Sequence, residues 1–250
     1  MDNPVNNLPE VGDGNWNERT LRLLGEHGVN RLRAASVMVV GVGGVGGYAA
    51  EMLARSGVGH LTLIDADAVA TTNINRQLIA THSTVGDSKV VLFVERFHDI
   101  NPEAQIESRM EFVTPENVAS FFLGRKYDYV IDAIDTVAPK VALITHCLSS
   151  HIPIISSMGA GGRLDPTKVG YFDLWDTRED GLARAVRQRL KTMGMHRPLK
   201  VVASTEKPRS HSLIQLEAMN KRSSFGTLAT IPAIFGIYLA NHVIRKITEI

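Results

Sequence analysis

The sequence predicts an α/β domain, in which a mostly parallel β-sheet is flanked by helices and followed by a C-terminal strand and helix extension. Two observations predict this fold. Short β-rich runs alternate with helical patterns over residues 36–157, and the first run ends in a glycine-rich loop that opens a helix. Strands that alternate with helices are joined by right-handed crossovers, so successive strands lie parallel. A chain of 250 residues is long enough to bury a sizeable core in one such domain.

Each element is predicted from its local pattern and from the residues that end it. A helix with spaced leucines, interrupted by Gly25 and Gly28, precedes the first strand. Thr114 followed by Pro115 is typical of a helix start. The predicted strands of this part are 37–42, 60–65, 105–110, 129–132 and 152–157. The predicted helices are 18–34, 45–56, 87–100, 115–123 and 138–150.

The alternation changes after Gly162. The pattern predicts strands at 168–173 and 200–204 around a basic helix at 181–193. Residues 207–224 are polar, and we expect them to be rich in loops.

The closing segment, residues 227–244, requires a choice between a membrane helix and a core helix. Its eighteen residues carry no full charge, a length at the lower limit for a membrane span. Pro232, Gly236, Asn241 and His242 argue against a span. An α/β sheet also needs a helix to cover it at this point. We therefore expect a buried or interface helix, with membrane association as the less favoured alternative.

The composition narrows the class of protein. Lys and Arg number 27, Asp and Glu 26, and 44% of residues are hydrophobic, which excludes disordered, collagen-like and coiled-coil chains. The single cysteine, Cys147, excludes a disulfide framework and a four-cysteine zinc site, and it suits a reducing compartment. No apolar run typical of a secretory signal is visible near the N-terminus. We expect a cytoplasmic protein.

Charge is segregated along the chain. Residues 184–222 contain ten basic and two acidic residues, a net charge of +8, although the whole chain carries only +1. A basic segment on an acidic body predicts a polyanionic partner, whereas the alternative is a solvated helix face and loop. The candidate contact residues are Arg184, Arg187, Lys191, Arg197, Lys207, Arg209, Lys221 and Arg222.

A glycine-rich loop is the sharpest local feature. Residues 41–47 read Gly-Val-Gly-Gly-Val-Gly-Gly, directly after a predicted strand and at the start of a helix. Such glycines allow a tight turn and a close approach of the backbone to phosphate. Asp65, at the end of the next strand, suits a carboxylate that binds ribose hydroxyls. The pattern predicts a Rossmann-like nucleotide site, and the alternative is a helix that packs tightly without a ligand. The loop glycines concerned are Gly41, Gly43, Gly44 and Gly46.

Polar residues crowd the segment just past that second strand, where α/β sheets bind ligands. Asn73, Arg76 and Gln77 are candidates to hold a nucleotide's phosphates, and Lys89, at the start of the next helix, adds a second cation. This positive charge suits a triphosphate, because charge that develops on a leaving pyrophosphate must be neutralised. A nicotinamide-dependent dehydrogenase does not need it.

Two carboxylates end the fourth predicted strand. Asp132 and Asp135 are both candidates to hold Mg²⁺, the alternative role being that one of them only caps the next helix. We favour Asp135 as the metal ligand.

In combination these motifs resemble those of the ubiquitin-activating-like adenylating enzymes, which include the activators of thiamine and molybdopterin sulfur-carrier proteins. The motifs are Gly-x-Gly-Gly-x-Gly, the run 65–77, the step from Gly86 to Lys89, and Asp132-Ala-x-Asp135. The resemblance implies a Rossmann-like ATP site, Mg²⁺, a homodimer, and adenylation of a carboxylate with release of pyrophosphate.

The resemblance also implies a role for each matching residue. Asp65 would bind ribose, and Asp67 belongs to the same cofactor-binding motif. Arg19 matches the place where these enzymes supply an arginine across the dimer, with Arg22 as a close neighbour. The phosphates would be bound by Asn73, Arg76 and Lys89, and Mg²⁺ by Asp135. The candidate catalytic set is thus Arg76, Lys89, Asp135 and Arg19.

The chain departs from other members of that superfamily in its cysteines. The carrier-protein activators usually have two Cys-x-x-Cys pairs for zinc, and this chain has none, so we expect no zinc. Ubiquitin-type activators need a nucleophilic cysteine, but Cys147 lies in an apolar helical run where burial is the better interpretation. Thioester chemistry is therefore not expected.

One branch of the superfamily matches the remaining features. Residues 157–167, Val130-Ile-Asp-Ala-Ile-Asp and the tail from Gly226 resemble the tRNA threonylcarbamoyladenosine dehydratases. That resemblance implies activation of the threonine carboxylate on the modified adenosine at tRNA position 37, followed by ring closure. It needs no enzyme nucleophile and requires a surface for tRNA, in agreement with the basic segment.

This interpretation divides one domain, residues 1–250, into three parts. Residues 1–35 are an N-terminal helical arm, 36–160 the nucleotide-binding core, and 161–250 a tRNA-binding extension with the closing helix. Three alternatives remain: adenylation of a carrier protein's C-terminal glycine, a nicotinamide-dependent oxidoreductase, and a nucleotide-sensing module without turnover.

Overall fold

A computed structural model describes residues 15–218 and 221–249, and the backbone alone within 214–224. The strands are β1 (Ser36–Val40), β2 (His60–Ile64), β3 (Gln105–Arg109), β4 (Tyr129–Asp132), β5 (Ile154–Ser157), β6 (Val169–Asp173), β7 (Lys200–Ser204), β8 (Leu213–Ala218) and β9 (Lys221–Phe225). The helices are α1 (Glu18–Ala34), α2 (Gly46–Arg55), α3 (Lys89–Ile100), α4 (Val137–Ser149), α5 (Gly181–Thr192) and α6 (Thr230–Thr248).

Seven strands form one sheet in the order β3-β2-β1-β4-β5-β7-β6. Every neighbouring pair is parallel except β6 and β7, which are antiparallel at one edge. The predicted mostly parallel α/β sheet is therefore confirmed. Its topology brings the carboxyl ends of β1, β2, β4 and β5 to the same edge, which is called the carboxyl edge below.

The sheet is apolar on both faces. Val37 and Val39 of β1 face one buried cluster, together with residues of α2, α3 and α6, while Met38 and Val40 face a second cluster with residues of α4 and α5. This alternation follows from the two-residue period of a strand. It also explains why the inner strands read as continuous apolar runs.

The last helix, α6, covers the sheet as predicted. Phe235, Leu239 and Val243 are completely buried within the first cluster. Gly236 lets α6 approach α2 closely, since a Cβ atom at this position would lie 2.3 Å from the carbonyl oxygen of Val45. Within the described residues, no helix combines the length and apolar character needed to cross a membrane.

The prediction of an α-helix at 115–123 is wrong. Residues Val118–Phe122 form a short 3-10 helix instead. The Asn117 side chain turns back to the backbone, accepting from the Thr114 N–H at 2.7 Å and donating to the Phe112 carbonyl at 2.8 Å. Side-chain hydrogen bonds of this kind compete with a regular helix.

Residues 207–224 are more ordered than their composition indicates. They include β8 and most of β9, which pair antiparallel with Leu213 opposite Phe225. The prediction of a loop-rich segment is therefore wrong here. A polar composition does not report backbone pairing between two neighbouring strands, because that pairing satisfies N–H and C=O groups whatever the side chains are.

We expect Gly236→Ala to destabilise the protein by about 1–3 kcal/mol, because the added methyl group would push α6 away from the backbone of α2. Chemical denaturation measures this change. Gly181→Ala is the matched control, because a Cβ atom there would have nothing within 4 Å. Equal stability of the two variants would contradict this account of the packing of α6.

Candidate active site

The glycine loop crosses from β1 to α2 at the carboxyl edge. Gly41 has a φ of +84°, and its N–H donates to the Ile64 carbonyl at 2.7 Å. A Cβ atom at Gly41 would lie 2.9 Å from the carbonyl oxygen of Ala133, and one at Gly46 would lie 1.7 Å from that of Gly41. These two glycines are thus required by backbone packing alone.

Gly43 and Gly44 have different neighbours. Their Cβ positions would lie 3.5 Å from Nε2 of Gln77 and 3.3 Å from Cγ of Arg76, respectively. The fold therefore brings two predicted phosphate-binding side chains against the glycine loop. A cradle of this kind, with backbone and polar side chains on facing walls, fits a nucleotide phosphate.

Asp65 directly follows β2 and faces the same loop. Its Oδ2 accepts from the Val42 N–H at 2.8 Å, and its Oδ1 accepts from the Asp67 N–H at 2.9 Å. Burial raises the pKa of Asp65, while the positive charge of Lys89 and the two N–H donors oppose that rise. The carboxylate is thus held between the glycine loop and residue 67, after the second strand, the place where Rossmann folds carry an acidic residue for ribose.

Lys89 is buried at the start of α3, and its Nζ lies 2.8 Å from Oδ2 of the exposed Asp67. The Lys89 N–H also donates to the Asp67 carbonyl at 3.2 Å. The cation is therefore fixed beside the end of β2, where Asp65 also lies. A buried ammonium paired with one exposed carboxylate can bind a more highly charged anion in its place.

The 71–77 segment is folded by its own side chains. Oδ1 of Asn73 accepts from the Ala70 N–H at 3.0 Å, and Nη1 of Arg76 donates to the Thr72 carbonyl at 2.8 Å. Gln77 is 7% exposed, and its Oε1 has no hydrogen-bond partner among the described residues. A phosphate supplies no donor for this oxygen, so the group of Gln77 that could bind a phosphate is its amide Nε2, which faces Gly43 in the glycine loop.

The structure gives the two carboxylates after β4 different environments. Asp132 is completely buried, and its Oδ2 accepts from Nζ of Lys140 at 2.7 Å and from Oγ of Ser156 at 2.6 Å. Asp135 is exposed on the loop that leads into α4. Asp132 is closed to solvent and Asp135 is exposed, so the difference in exposure favours Asp135 as the carboxylate that could reach a cation.

The donor set bears on how Mg²⁺ would be held. Among the described residues, no three His, Cys, Asp or Glu side chains are grouped so as to hold a metal ion. Mg²⁺ commonly binds through one or two carboxylates together with substrate phosphates and water. A single carboxylate such as Asp135 fits that mode of binding.

Cys147 lies on α4 and is completely buried, as predicted. Burial, together with the negative charge of Asp132, raises the pKa of the thiol to about 12. The thiol is thus protonated near neutral pH, which makes it a poor nucleophile.

The two arginines near the start of α1 differ in their partners. Nη2 of Arg22 lies 2.6 Å from Oε1 of Glu18 on the same helix. Arg19 is exposed and pairs with no carboxylate in the described part of the chain. Arg19 is therefore the better placed of the two to contact another molecule.

The 158–165 loop contains a buried arginine whose partners the sequence pattern did not identify. Arg163 is 3% exposed, and its Nη2 lies 3.2 Å from Oδ2 of Asp180 and 3.0 Å from the Glu179 carbonyl. Oδ1 of Asp180 accepts from the Ala183 N–H at 2.8 Å and thereby caps α5. The ion pair ties the loop after β5 to the start of the basic helix. The feature of the sequence that could have predicted this contact is Asp180, directly before the basic helix.

The basic segment is divided between the two ends of the sheet. Arg184 lies in the first turn of α5, and Lys207 and Arg209 follow β7, so these three exposed side chains lie towards the carboxyl edge. Lys191 lies in the last turn of α5, about 10 Å from Arg184 along the helix axis. Arg197 is also distant from that edge, since it donates to the carbonyl of Leu148 near the end of α4.

The remaining candidate contact residues are Arg187, Lys221 and Arg222. Arg187 is partly buried and donates to the carbonyl of Leu174 at 3.1 Å and to Oγ1 of Thr177, so it anchors α5 to the preceding turn. Lys221 and Arg222 lie in β9, and their side chains are outside the described part of the structure.

Known proteins match the chain over nearly its whole length. The ThiF family matches residues 17–250. The tRNA threonylcarbamoyladenosine dehydratase of Escherichia coli is 40% identical over 252 residues, covering 92% of this chain and 94% of the relative. The dehydratase of Bacillus subtilis is 40% identical over 234 residues, covering 90% of this chain and 92% of the relative.

The fold is equally similar to that of a solved relative. The crystal structure of the Escherichia coli dehydratase in complex with ATP matches this chain with a TM-score of 0.86 and 40% identity, covering 93% of each chain. Sequence, fold and the geometry of the glycine loop therefore agree, and the chain belongs to the ThiF family.

Proposed function

We propose that this protein is a tRNA threonylcarbamoyladenosine dehydratase, which uses ATP to cyclise threonylcarbamoyladenosine at position 37 of tRNA. The observation that carries the proposal is the 40% identity to two bacterial dehydratases across at least 90% of the chain, including the extension after residue 160. The nucleotide-binding geometry of the carboxyl edge supports it independently.

The reaction has two steps. A carboxylate oxygen of the threonine moiety attacks the α-phosphorus of ATP, and the bond to pyrophosphate breaks. A nitrogen of the same nucleoside then attacks the acyl carbon, a proton is lost and AMP leaves. Because AMP is a far better leaving group than oxide, the protein has only to position the reactants and stabilise charge. No enzyme nucleophile is needed, in agreement with the buried, protonated Cys147.

Different residues at the carboxyl edge have different roles in these two steps. The glycine loop and Gln77 receive the phosphates, and Asp65 accepts hydrogen bonds from the ribose hydroxyls. Lys89 and Arg76 neutralise the charge that develops on pyrophosphate. When Lys89 turns to the phosphates, Asp67 at 2.8 Å releases it and remains in solvent. Asn73 holds the turn that carries Arg76.

Mg²⁺, bound by Asp135 and the phosphates, would supply additional charge neutralisation. In a homodimer, Arg19 of one protomer would contribute a cation to the site of its partner. The exposed position of Arg19 at the start of α1 supports this assignment. We also propose a cytoplasmic location, which a tRNA substrate supports.

The tRNA would bind along the extension, residues 161–250, and reach the ATP site of the 36–160 core from there. Arg184, Lys207 and Arg209 support this path, because the Arg163–Asp180 ion pair holds their region against the carboxyl edge. Lys191 and Arg197 would contact phosphates farther along the tRNA, as would Lys221 and Arg222. Arg187 would act mainly by anchoring α5.

The function is tested by mass analysis of nucleosides from tRNA that carries threonylcarbamoyladenosine. After incubation with this protein, Mg²⁺ and ATP, we expect that nucleoside to lose the mass of one water, with equimolar AMP. Mild handling is needed, because the ring reopens in base. An unchanged nucleoside despite ATP binding would overturn the proposal and favour a carrier protein as substrate. Binding of NAD(H) instead of ATP would refute the nucleotide assignment.

We expect Lys89→Ala to lower the rate of AMP formation by about 10²–10³-fold, because the pyrophosphate charge loses a preorganised cation. The thermal midpoint should change little, since the partner Asp67 is exposed. Lys126→Ala, which removes an exposed lysine from another loop, is the matched control. Near-normal turnover of Lys89→Ala would exclude this role for Lys89.

The affinity for tRNA should fall steeply as salt rises, because the contacts are mainly to phosphates. Removing Arg184 and Arg209 together should weaken binding and reduce the slope of log K against log salt concentration by about one per lost contact. Arg33→Ala at the opposite end of the sheet should leave that slope unchanged. The test is filter binding at several salt concentrations, and a slope that Arg184 and Arg209 do not influence would contradict the proposed path.

A further inference from the structure

Three completely buried polar side chains lie beneath the carboxyl edge. Lys140 on α4, Asp132 at the end of β4 and Ser156 on β5 are each 0% exposed. Nζ of Lys140 lies 2.7 Å from Oδ2 of Asp132 and 3.1 Å from Oγ of Ser156. Ser156 donates to the same Oδ2 at 2.6 Å. The ammonium and the carboxylate thus compensate each other where neither has access to water.

This network adjoins the loop of residues 133–136, which contains Asp135, the proposed Mg²⁺ ligand. The other oxygen of Asp132, Oδ1, accepts from the Ile134 N–H at 3.1 Å, and the Ala133 N–H donates to the Val40 carbonyl at 2.9 Å. At the other end of the loop, the backbone N–H of residue 140 donates to the Thr136 carbonyl at 3.3 Å, a bond of the first turn of α4 that does not involve the Lys140 side chain. Residues 133–136 are therefore attached at both ends, with Asp135 between the attachments.

The same loop also touches the glycine loop. The carbonyl oxygen of Ala133 is the atom that a Cβ at Gly41 would meet at 2.9 Å. A small movement of residues 133–136 would therefore change both the position of Asp135 and the support of the phosphate cradle. Buried ion pairs contribute little to stability compared with apolar side chains of the same volume, so stability alone does not account for this one.

We propose that Lys140 is a positioning residue for magnesium and ATP, which acts by holding Asp132 and hence the 133–136 loop. The inference rests on the proposed function, in which Asp135 meets Mg²⁺ at the phosphates. Lys140 itself is enclosed by protein and touches neither. Its effect passes through Asp132 and Ile134 to Asp135, in the way that outer partners orient a metal ligand.

The experiment measures ATP binding calorimetrically at increasing Mg²⁺ concentrations, and thermal midpoints in parallel. Lys140→Met removes the charge and keeps the length of the side chain. We expect the half-saturating Mg²⁺ concentration to rise on the order of tenfold. Asp135→Asn should raise it as well, and adding Lys140→Met to Asp135→Asn should raise it no further, because both changes act on one ligand.

Two further variants separate positioning from folding. Lys140→Met leaves the carboxylate of Asp132 buried and uncompensated, so Asp132→Asn with Lys140→Met restores charge balance and recovers the fold. This pair should still need more Mg²⁺ than the unaltered protein. Glu51→Gln is the matched control, because Glu51 is 3% exposed and is held by Arg96 and Arg55 away from this loop. It should lower the thermal midpoint without changing the Mg²⁺ dependence.

The outcomes are distinguishable. If the Lys140 variants lose stability but keep the normal Mg²⁺ dependence, as Glu51→Gln should, the network is structural only and the inference is overturned. If the effects of Lys140→Met and Asp135→Asn simply add, the proposed path through Asp135 is wrong. If Asp135→Asn itself leaves the Mg²⁺ dependence unchanged while ATP still binds, the metal assignment in the proposed function fails, and the inference fails with it.

Discussion

The close approach of two backbone segments at the carboxyl edge is the constraint on which the rest of the site depends. The loop after β1 lies against residue 133 after β4, and the loop's own turn brings Gly46 onto the carbonyl of Gly41. Both contacts exclude a Cβ atom. Because these segments are in contact, the ends of β1, β2 and β4 lie next to one another. Asp65 and Lys89 lie at the end of β2, and the exposed Asp135 follows the end of β4.

Buried charges at this edge are paired, and each pair joins elements that are distant in sequence. Lys89 with Asp67 joins α3 to the end of β2, Lys140 with Asp132 joins α4 to β4, and Arg163 with Asp180 joins the loop after β5 to α5. An unpaired charge in these places would be strongly unfavourable. The pairs also differ in exposure. The Asp67 side chain is exposed, so the Lys89 pair borders solvent on one side, whereas both members of the other two pairs are buried and fix the positions of the elements they join.

This division fits a reaction in which the protein contributes position and charge. The one cysteine is buried and protonated, and the groups proposed to bind the phosphates are an amide, a guanidinium and an ammonium. Stabilisation of charge on a leaving group requires that these donors be held before the reaction starts. The hydrogen bonds within the 65–77 segment and beneath residues 133–136 provide that rigidity.

Local patterns in the sequence determined the parallel sheet, the glycine loop, the covering helix α6 and the burial of Cys147. Each of these follows from periodicity or from backbone geometry, which a short stretch of residues reports by itself. The close packing of Gly43 and Gly44 on Arg76 and Gln77 also agrees with the motif that predicted it.

Tertiary structure alone decided the environments of two carboxylates and where the basic residues lie. The sequence already favoured Asp135 over Asp132 as a metal ligand, but only the fold shows that Asp132 is buried against Lys140 and Ser156, which come from α4 and β5, while Asp135 is exposed. The basic residues of the 184–222 segment follow one another closely in the sequence. In the fold, however, Lys191 and Arg184 lie at different ends of α5. Burial and pairing depend on neighbours that are remote along the chain, so no local pattern contains them.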